Sequence, residues 1–295
     1  MKDLEQRIAR VRDDREHGSR WLVREAVSIL RDLAEEQGTP EDERMRQLYW
    51  SARALARARP AMAALASAVG RVMQAGDNAT AVAQGARSIL QDYDSATQRI
   101  AQHAEPYLHG RLMTCSISGT VLDVLLARRQ SIERVIVLEG RPRYEGRETA
   151  QELSKQGIAI TLITDAQADI FLPDCQAVVV GADSVLADGG VLNKAGTALL
   201  AWSARGHNVP FYVLCETLKI SPRRWSGDLS WLEEKESTEV WPQSPPGITV
   251  RNFYFDHTPS ELVGKLITEH GVLSRQEIEA IADQAKDNES RLFKG

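Results

Sequence analysis

The sequence predicts an α/β protein in which a helical domain, residues 1–108, precedes a domain built on a parallel β-sheet, residues 109–295. Three observations predict this division. Up to about residue 105, apolar residues recur every three or four positions, as in amphipathic helices. Beyond residue 110, short β-branched runs alternate with segments of helical length. Polar residues follow each run, as they do where a parallel sheet presents its strand ends to a ligand.

Five apolar stripes predict five helices in the first domain. Gly38-Thr-Pro40, Arg59-Pro60 and Gly76–Thr80 supply breaks between stripes. The stripes run over residues 4–11, 21–33, 45–55, 62–72 and 82–90. Opposite charges interleave on the outer faces, which is typical of solvated helices. By itself this half shows no identifiable chemistry.

The second domain is predicted from short strands that alternate with helices. The strands are Arg111–Cys115, Arg134–Leu138, Ala159–Ile163, Ala177–Gly181 and Phe211–Leu214. The helices are Thr120–Arg129, Arg147–Gln156, Asn193–Ala204 and Pro259–His270. A last strand is expected at Ile248–Phe255. Residues 221–246 contain four prolines and little periodicity, so we expect a surface flap there.

Composition excludes several classes of protein. A net charge of -5 argues against a general nucleic-acid binder. No segment approaches the roughly 20 apolar residues of a membrane span. The three cysteines lack metal-ligand spacing and cannot all pair, so we expect reduced thiols and a cytoplasmic location.

The stretch from Val178 to Thr197 organises the second domain. Three valines lead into Gly181-Ala-Asp183, so a buried strand brings a carboxylate to the sheet edge where ligands bind in open α/β folds. Asn193 and Lys194 follow ten residues later and could hold an anion. We interpret this stretch as one wall of a sugar-phosphate site.

Polar residues after the other strands are expected at the same edge. Ser116, Ser118 and Gly119 open a helix, where hydroxyl and N–H groups suit a phosphate. The other strand ends supply Glu139, Arg141 and Pro142, then Asp165, then Cys215, Glu216 and Lys219. Carboxylates, cations and hydroxyls gathered at one edge indicate a reaction site.

Structural roles compete with these functional ones. Asp165 is interpreted as a helix cap. Ser116 and Ser118 are equally consistent with ordinary helix caps. Glu139 and Arg141 could instead form a structural ion pair. Asn193–Gly196 could be only the turn that starts a helix. No two of the six histidines have zinc spacing, and no G-x-G-x-x-G or Walker motif occurs, so neither a metal nor another cofactor is expected.

In this order and spacing, the motifs resemble the superfamily of the alpha, beta and delta subunits of translation initiation factor 2B. That superfamily also contains ribose-1,5-bisphosphate isomerase and methylthioribose-1-phosphate isomerase. The matching motifs are Glu139–Pro142 with Gly146 and Thr149-Ala150, Gly181–Asp183, Asn193-Lys194 with Gly196-Thr197, Pro210–Val213 with Glu216 and Lys219, and Asn252, Phe255-Asp256, Thr258-Pro259 and Ile267–Glu269.

The helical half carries fainter matches. Arg59-Pro60 resembles an Arg-Pro whose arginine contacts the substrate phosphate, and His17–Arg20 stands in place of an Arg-Gly-Ala substrate loop. The resemblance implies a Rossmann-like second domain, a site between the two halves, and a homodimer or larger homo-oligomer. The substrate-binding residues expected in this way are Gly18, Ser19, Arg20, Arg59, Ser118, Glu139, Arg141, Pro142, Asn193, Lys194 and Lys219.

The isomerases of this superfamily convert an aldose 1-phosphate to a ketose phosphate with an acid and a base on opposite sides of the reacting centre. The resemblance assigns these roles to the aspartate of Gly-Ala-Asp, here Asp183, and to a cysteine. That cysteine aligns with Ser116, whose hydroxyl is a poor base unless activated. Cys115 stands one position earlier, and a strand would turn it to the opposite face unless a bulge intervenes.

Two hypotheses follow for function. The first is a sugar-phosphate isomerase that uses Asp183 with Ser116, Cys115 or water. The second is a non-catalytic regulatory protein, like the initiation-factor subunits, that binds a sugar phosphate or nucleotide. The retained Asp183, Asn193 and Lys194 favour the first hypothesis, and Ser116 favours the second. An exchange-factor subunit is a third class and would require a multisubunit partner.

Overall fold

The computed structural model describes residues 2–14 and 17–294. Its first part consists of helices α1 to α5, as the five apolar stripes predicted. They span Lys2–Asp13, Ser19–Glu35, Glu41–Ala56, Ala63–Met73 and Ala79–Ala104. Asn78 caps α5 because its side-chain oxygen accepts a hydrogen bond from Ala81 N at 2.9 Å. None of the described helices combines the length and the apolar composition that crossing a membrane would require.

A seven-stranded, mostly parallel sheet forms the centre of the second part. The strands are β1 Gly110–Cys115, β2 Ile132–Leu138, β3 Ile160–Ile163, β4 Ala177–Val180, β7 Phe211–Leu214, β9 Lys265–Thr268 and β10 Gly271–Leu273. Their order is β10-β9-β7-β4-β1-β2-β3, with only the β10–β9 pair antiparallel. The helices of this part are α6 Gly119–Ala127, α7 Glu145–Lys155, α8 Ala168–Phe171, α9 Thr197–Gly206 and α10 Arg275–Lys294. The predicted fold class is confirmed.

A second sheet of three antiparallel strands lies beyond the end of β4. It contains β5 Ser184–Val185, β6 Val191–Lys194 and β8 Phe255–Thr258 in the order β5-β6-β8. The predicted helix Asn193–Ala204 is therefore wrong at its start. Asn193 and Lys194 end a strand, and Gly196, with φ +106°, turns the chain before α9 begins at Thr197.

The end of the chain differs most from the sequence expectation. The predicted helix Pro259–His270 is a short 3₁₀ turn at Ser260–Leu262 followed by β9. Of the expected strand Ile248–Phe255, only Phe255 belongs to a strand, β8. Both segments are apolar runs whose periodicity does not separate strand from helix, and pairing with β6 and β7 decides the outcome. Helix α10 was not predicted.

Of the three hydrophobic cores formed by the described residues, two contain side chains from both parts of the chain, and the third lies wholly within the second part. The core inside the helical bundle also takes in Leu186, Leu218 and Leu232 from the second part. The last turns of α5 pack on one face of the large sheet, where Ile100 is fully buried. Helix α10 packs on the other face through Ile278 and reaches the bundle. These contacts hold the helices against the carboxyl edge of the sheet.

Candidate active site

The carboxyl ends of the central strands form one edge, and a loop of the helical half lies against it. Asp183 follows β4, and its backbone N–H donates to Leu192 O at 2.9 Å, which joins β4 to the small sheet. The Ser184 hydroxyl donates to Ala61 O at 2.7 Å and accepts from Ala63 N at 2.9 Å. Ser184 therefore fixes the loop after Arg59 against the edge.

Charged side chains from both halves of the chain act on the carboxyl group of Asp183. Burial raises the pKa of its carboxyl group, while the charges of Lys219, Lys194 and Arg59 act to lower it and that of Glu233 to raise it. The net direction is upward because the loss of hydration of the charged form dominates. A carboxyl group of this kind can hold a proton at a pH where an exposed aspartate has lost it.

Lys194 is held by an anion and an aromatic ring. Its Nζ donates to Glu145 Oε1 at 2.8 Å and lies 4.5 Å from the centre of the Tyr254 ring. Glu145 begins α7, and Tyr144 before it adopts a left-handed backbone with φ 61°. A ligand anion would compete with Glu145 for this ammonium group.

Arg59 shares a carboxylate with a lysine of the flap. Its Nη1 donates to Asp14 O at 2.9 Å, and its Nη2 lies 3.5 Å from Glu233 Oε2. Lys235 Nζ lies 2.9 Å from the same oxygen. The second carboxylate oxygen, Glu233 Oε1, is buried and has no hydrogen-bond partner among the described residues.

Lys219 is buried and paired through Glu216 with the helical half. Its side chain is 5% exposed, and its Nζ lies 3.7 Å from Glu216 Oε2. Glu216 Oε1 accepts from Thr120 Oγ1 at 2.6 Å and lies 3.8 Å from Arg20 Nη2. Although burial opposes it, the charge of Lys219 and these partners lower the pKa of Glu216.

Arg20 is also engaged by its own neighbours. Its Nη1 donates to Asp123 and its Nη2 to Thr97, both at 2.5 Å. The guanidinium lies beside Gly119 at the start of α6. A Cβ atom added to this glycine would lie 3.8 Å from it. Gly18 and Ser19 lie at the N-terminal end of α2, where Gly18 is exposed and its carbonyl oxygen accepts a hydrogen bond from Trp21 N. The structure thus places this predicted loop near the turn after β1.

The serines after β1 differ in conformation. Ser116 is buried and has φ 62°, and its carbonyl accepts from Thr149 Oγ1 at 2.8 Å. Non-glycine residues rarely adopt this left-handed region, and it often marks functional sites. Ser118 caps α6 by accepting from Val121 N at 3.4 Å, and its hydroxyl packs closely on Gly181. The cap interpretation of Ser118 is confirmed, and both serines lie at the edge occupied by Asp183.

Cys115 points into the protein interior. Its Sγ lies 3.7 Å from Thr197 Oγ1, inside the core formed with α8, α9 and α10. Burial raises the pKa of this thiol to about 12. A thiolate at this position is therefore unfavourable near neutral pH, and the sulfur lacks the access that a base requires.

Arg141, Pro142 and Glu139 form an outer rim. The Arg141–Pro142 peptide bond is cis, and the exposed guanidinium donates to Val240 O in the flap at 3.1 Å. The pairing considered for Glu139 and Arg141 is wrong, because Glu139 Oε2 accepts from Arg147 at 3.1 Å.

The cap interpretation of Asp165 is wrong as well. Its carboxylate accepts from Gly140 N at 2.9 Å and Arg141 N at 2.8 Å, which fixes the rim.

Asn193 and Asp256 brace the turn that carries Lys194. Asn193 is buried, and its Nδ2 donates to Thr197 Oγ1 at 2.9 Å. Asp256 lies opposite Asn193 in the β6–β8 pair, and its Oδ2 accepts from Gly196 N at 2.7 Å and Ala198 N at 3.0 Å. Burial raises the pKa of Asp256 to about 6.

Sequence reasoning missed three groups at this site: Glu145, Glu233 and the Tyr254 ring. Glu145 and Tyr254 become partners of Lys194 only through packing. The flap that carries Glu233 gave no periodic signal in the sequence. In the part of the chain that the structure describes, no three His, Cys, Asp or Glu side chains are grouped to bind a metal ion.

Comparison with known proteins agrees with this architecture. Ribose 1,5-bisphosphate isomerase of Archaeoglobus fulgidus is 32% identical, over 92% of this chain and 90% of that protein. Methylthioribose-1-phosphate isomerase of Trichoplax adhaerens is 45% identical over 55% of this chain and 47% of that protein. The crystal structure of translation initiation factor eIF-2B of Pyrococcus horikoshii superposes with a TM-score of 0.80 at 29% identity, over 92% of this chain and 97% of that one.

The match to a family model covers most of the chain. Residues 15–275 fit the model of the initiation factor 2 subunit family. This range includes every candidate site residue described above. The chain therefore belongs to the initiation factor 2 subunit family.

Proposed function

We propose that this protein is a sugar-phosphate isomerase that converts a ribose 1-phosphate-type aldose to a ketose phosphate. The observation that carries the proposal is the set of charges around Asp183. Arg59, Lys194 and Lys219 come from both halves of the chain and act on one carboxyl group of raised pKa. Cations suit the phosphate, and a protonated acid suits opening of the sugar ring. Relatives named as isomerases of two ribose phosphates support this substrate class.

The roles proposed for the remaining residues follow from their positions. The turn of Ser116, Ser118 and Gly119 at the start of α6 offers hydroxyl and N–H groups to a phosphate. The Arg20 guanidinium lies beside that turn, and Gly18 and Ser19 precede Arg20 in the chain. The outer rim of Glu139, Arg141 and Pro142 borders the flap, and Asn193 holds the turn of Lys194.

A second candidate function is non-catalytic regulation, in which the site binds a sugar phosphate or nucleotide without turnover. The observation that favours it concerns the base. Ser116 replaces the cysteine that the resemblance assigns, and Cys115 is buried against Thr197. The solved eIF-2B structures show that the same fold also serves initiation factors.

Calorimetry and turnover separate the two candidates. We expect the full chain to bind ribose 1,5-bisphosphate, and Lys194→Ala to weaken binding by about 10-fold or more because it removes a charge-assisted contact. Asp183→Asn should bind but lose about 100-fold or more in turnover, because the amide cannot donate an acidic proton. Lys155→Ala is the matched control, since Lys155 forms an exposed pair with Glu152 away from the edge.

The outcomes are distinct for each candidate. Binding without product formation by the unaltered protein would support the regulatory function and contradict the isomerase. Absence of heat with ribose 1,5-bisphosphate, ribose 1-phosphate and adenosine monophosphate would contradict both. Unchanged turnover in Asp183→Asn would place the chemistry at another residue.

Assembly as a homodimer or larger homo-oligomer remains a prediction from the family resemblance, and a cytoplasmic location remains a prediction from the cysteines. Ile170, Leu199 and Trp202 are exposed apolar side chains on the neighbouring helices α8 and α9, and they are candidates for a subunit contact. Analytical ultracentrifugation of the full chain measures the assembly.

A further inference from the structure

The backbone brings Lys219 to the strand end that carries Asp183. The 3₁₀ turn Thr217–Lys219 follows β7, and β7 pairs in parallel with β4, the strand before Asp183. Directly after the turn, Ile220 forms a parallel bridge with Val185. The residues that follow β7 therefore run alongside those that follow β4. This pairing fixes the place of the lysine at the site edge.

The ammonium group of Lys219 is buried and has one counterion. The Lys219 side chain is 5% exposed, and its ion-pair partner among the described residues is Glu216, whose side chain is 2% exposed. Lys219 Nζ and Glu216 Oε2 lie 3.7 Å apart. That carboxylate oxygen is buried and has no hydrogen-bond partner among the described residues. Without such a counterion, a buried ammonium group tends to lose its proton.

The other oxygen of Glu216 is held by two further elements. Glu216 Oε1 accepts from Thr120 Oγ1 at 2.6 Å, at the start of α6, and lies 3.8 Å from Arg20 Nη2 of the helical half. Arg20 has closer partners of its own, because Asp123 and Thr97 accept from its guanidinium at 2.5 Å. The position of the Glu216 carboxylate is therefore set from outside the turn after β7.

The surrounding ionisable groups leave Glu216 as the anion of this network. Burial raises the pKa of Asp183 after β4, of Tyr93 in α5 and of Cys215 after β7, which favours the neutral form of each. Both carboxylate oxygens of Glu269, after β9, accept from one backbone N–H of the turn after β7, at 3.1 and 3.0 Å. Burial opposes ionisation of Glu216 too, but its own partners outweigh burial and lower its pKa.

We propose that Glu216 is a positioning residue that keeps Lys219 charged and in place for the phosphate of the ligand. The inference rests on the proposed binding of a sugar phosphate at this edge, and it adds a residue that need not touch the ligand. Thr120 and Arg20 hold one carboxylate oxygen, and the other oxygen faces the ammonium group. The helical half and α6 thereby control the charge of a group that the large sheet presents.

Calorimetry of the full chain with ribose 1,5-bisphosphate from pH 6 to pH 9 tests the proposal. In Glu216→Gln, the amide oxygen can still accept from Thr120 but no longer neutralises Lys219, which should lose its proton as pH rises. The variant should bind more weakly than the unaltered protein. The ratio of their affinities, which cancels titration of the ligand itself, should grow at least about fivefold across this range.

Two further variants show whether the pH dependence belongs to Lys219. In Lys219→Met combined with Glu216→Gln, the affinity ratio should no longer change with pH, because the ammonium group is gone. Glu216→Asp keeps the charge, so its ratio should vary by less than about twofold with pH, although the shorter side chain weakens binding. Glu152→Gln removes an exposed carboxylate that pairs with Lys155, and as the matched control it should bind like the unaltered protein.

Different results overturn different claims. A ratio that stays within about twofold in Glu216→Gln, or one that still changes with pH in the double variant, would overturn the role of Glu216. If the unaltered protein binds without turnover, the isomerase proposal fails, and the affinities still decide on Glu216. Absence of binding by the unaltered protein would contradict both. Should Glu216→Gln not fold, weaker binding by Glu216→Asp would support the positioning role, and binding equal to that of the unaltered protein would contradict it.

Discussion

Asp183 and Asp256 both lie at the site edge, and burial raises the pKa of each carboxyl group. Their surroundings nevertheless separate their roles. Asp183 is near three cations that could accept a phosphate, whereas Asp256 accepts two backbone N–H groups and closes the turn before α9. Asp183 is therefore suited to proton transfer and Asp256 to holding the turn of Lys194 in place.

At the residue scale, Asp256 makes stability depend on pH. Its pKa is about 6 in the folded protein against an ordinary value of 3.8, so the folded state binds the proton more tightly. The contribution of Asp256 to the unfolding free energy is fully present at a pH below the pKa of this residue in the unfolded chain. It is lost as the pH rises through about 6, the pKa in the folded protein. The unfolding free energy of the unaltered protein, relative to Asp256→Asn, should rise by about 2 to 3 kcal/mol from pH 7 to pH 4.

Chemical denaturation at several pH values measures this difference. Asp228→Asn is the control, because Asp228 is exposed and its bonds to Ser230 lower its pKa. The stabilisation from Asp228 is therefore lost, rather than gained, as pH falls through its folded pKa. An Asp256→Asn variant with the same pH dependence as the unaltered protein would contradict burial of an ionisable group at this position.

At the scale of elements, the contact between β2 and α7 depends on a glycine. Gly146 lies in the first turn of α7, and its N–H donates to Glu139 O at 3.1 Å. A Cβ at this position would overlap the carbonyl oxygen of Leu138, which belongs to the backbone of β2. The close approach places Glu145, the partner of Lys194, at the sheet edge.

Gly146→Ala should therefore lower the unfolding free energy by about 3 kcal/mol, because backbone atoms must move to admit the methyl group. Denaturant titration measures the loss. Gly206→Ala is a matched control, since a Cβ there meets nothing within 4 Å. Alanine in that last turn of α9 should be neutral or stabilise by up to about 1 kcal/mol. Equal stability of the two variants would rule out the tight packing described here.

At the scale of the whole molecule, the last helix joins the two parts of the chain. Ile278 of α10 packs in the core beneath the large sheet, and Leu292 of the same helix is 1% exposed inside the helical bundle. Helix α5 is shared in the same way through Tyr93 and Ile100. The division at residues 108 and 109 thus describes the order of elements, while two of the three cores cross it.

Leu292→Ala should destabilise the whole molecule by about 3 kcal/mol, as for other fully buried leucines. Tryptophan fluorescence and far-ultraviolet circular dichroism should report one coincident unfolding transition, shifted in the variant. Phe293→Ala, which changes an exposed neighbouring side chain, is the control and should cost less than about 1 kcal/mol. Two separate transitions in the unaltered protein would instead favour independent domains at 1–108 and 109–295.

Much of the fold could be predicted because local periodicity reports it. The stripes of α1 to α5 and the β-branched runs of β1, β2, β3, β4 and β7 are strong signals. The secondary-structure prediction failed at residues 191–194 and 265–268, because a short apolar run fits a strand or a helix equally well. Pairing with a neighbouring strand decides which of the two forms.

The sequence by itself determined the order of helices and strands, the delivery of Asp183 to the sheet edge and the nearby Asn193-Lys194 pair. These follow from hydrophobic spacing and from the direction of parallel strands. Tertiary structure decided which charges meet: Glu145 with Lys194, Glu216 with Lys219, and Glu233 with Arg59. Such pairs join residues from 3 to 174 positions apart, and the depth of burial that sets the pKa of Asp183 exists only after the chain has packed.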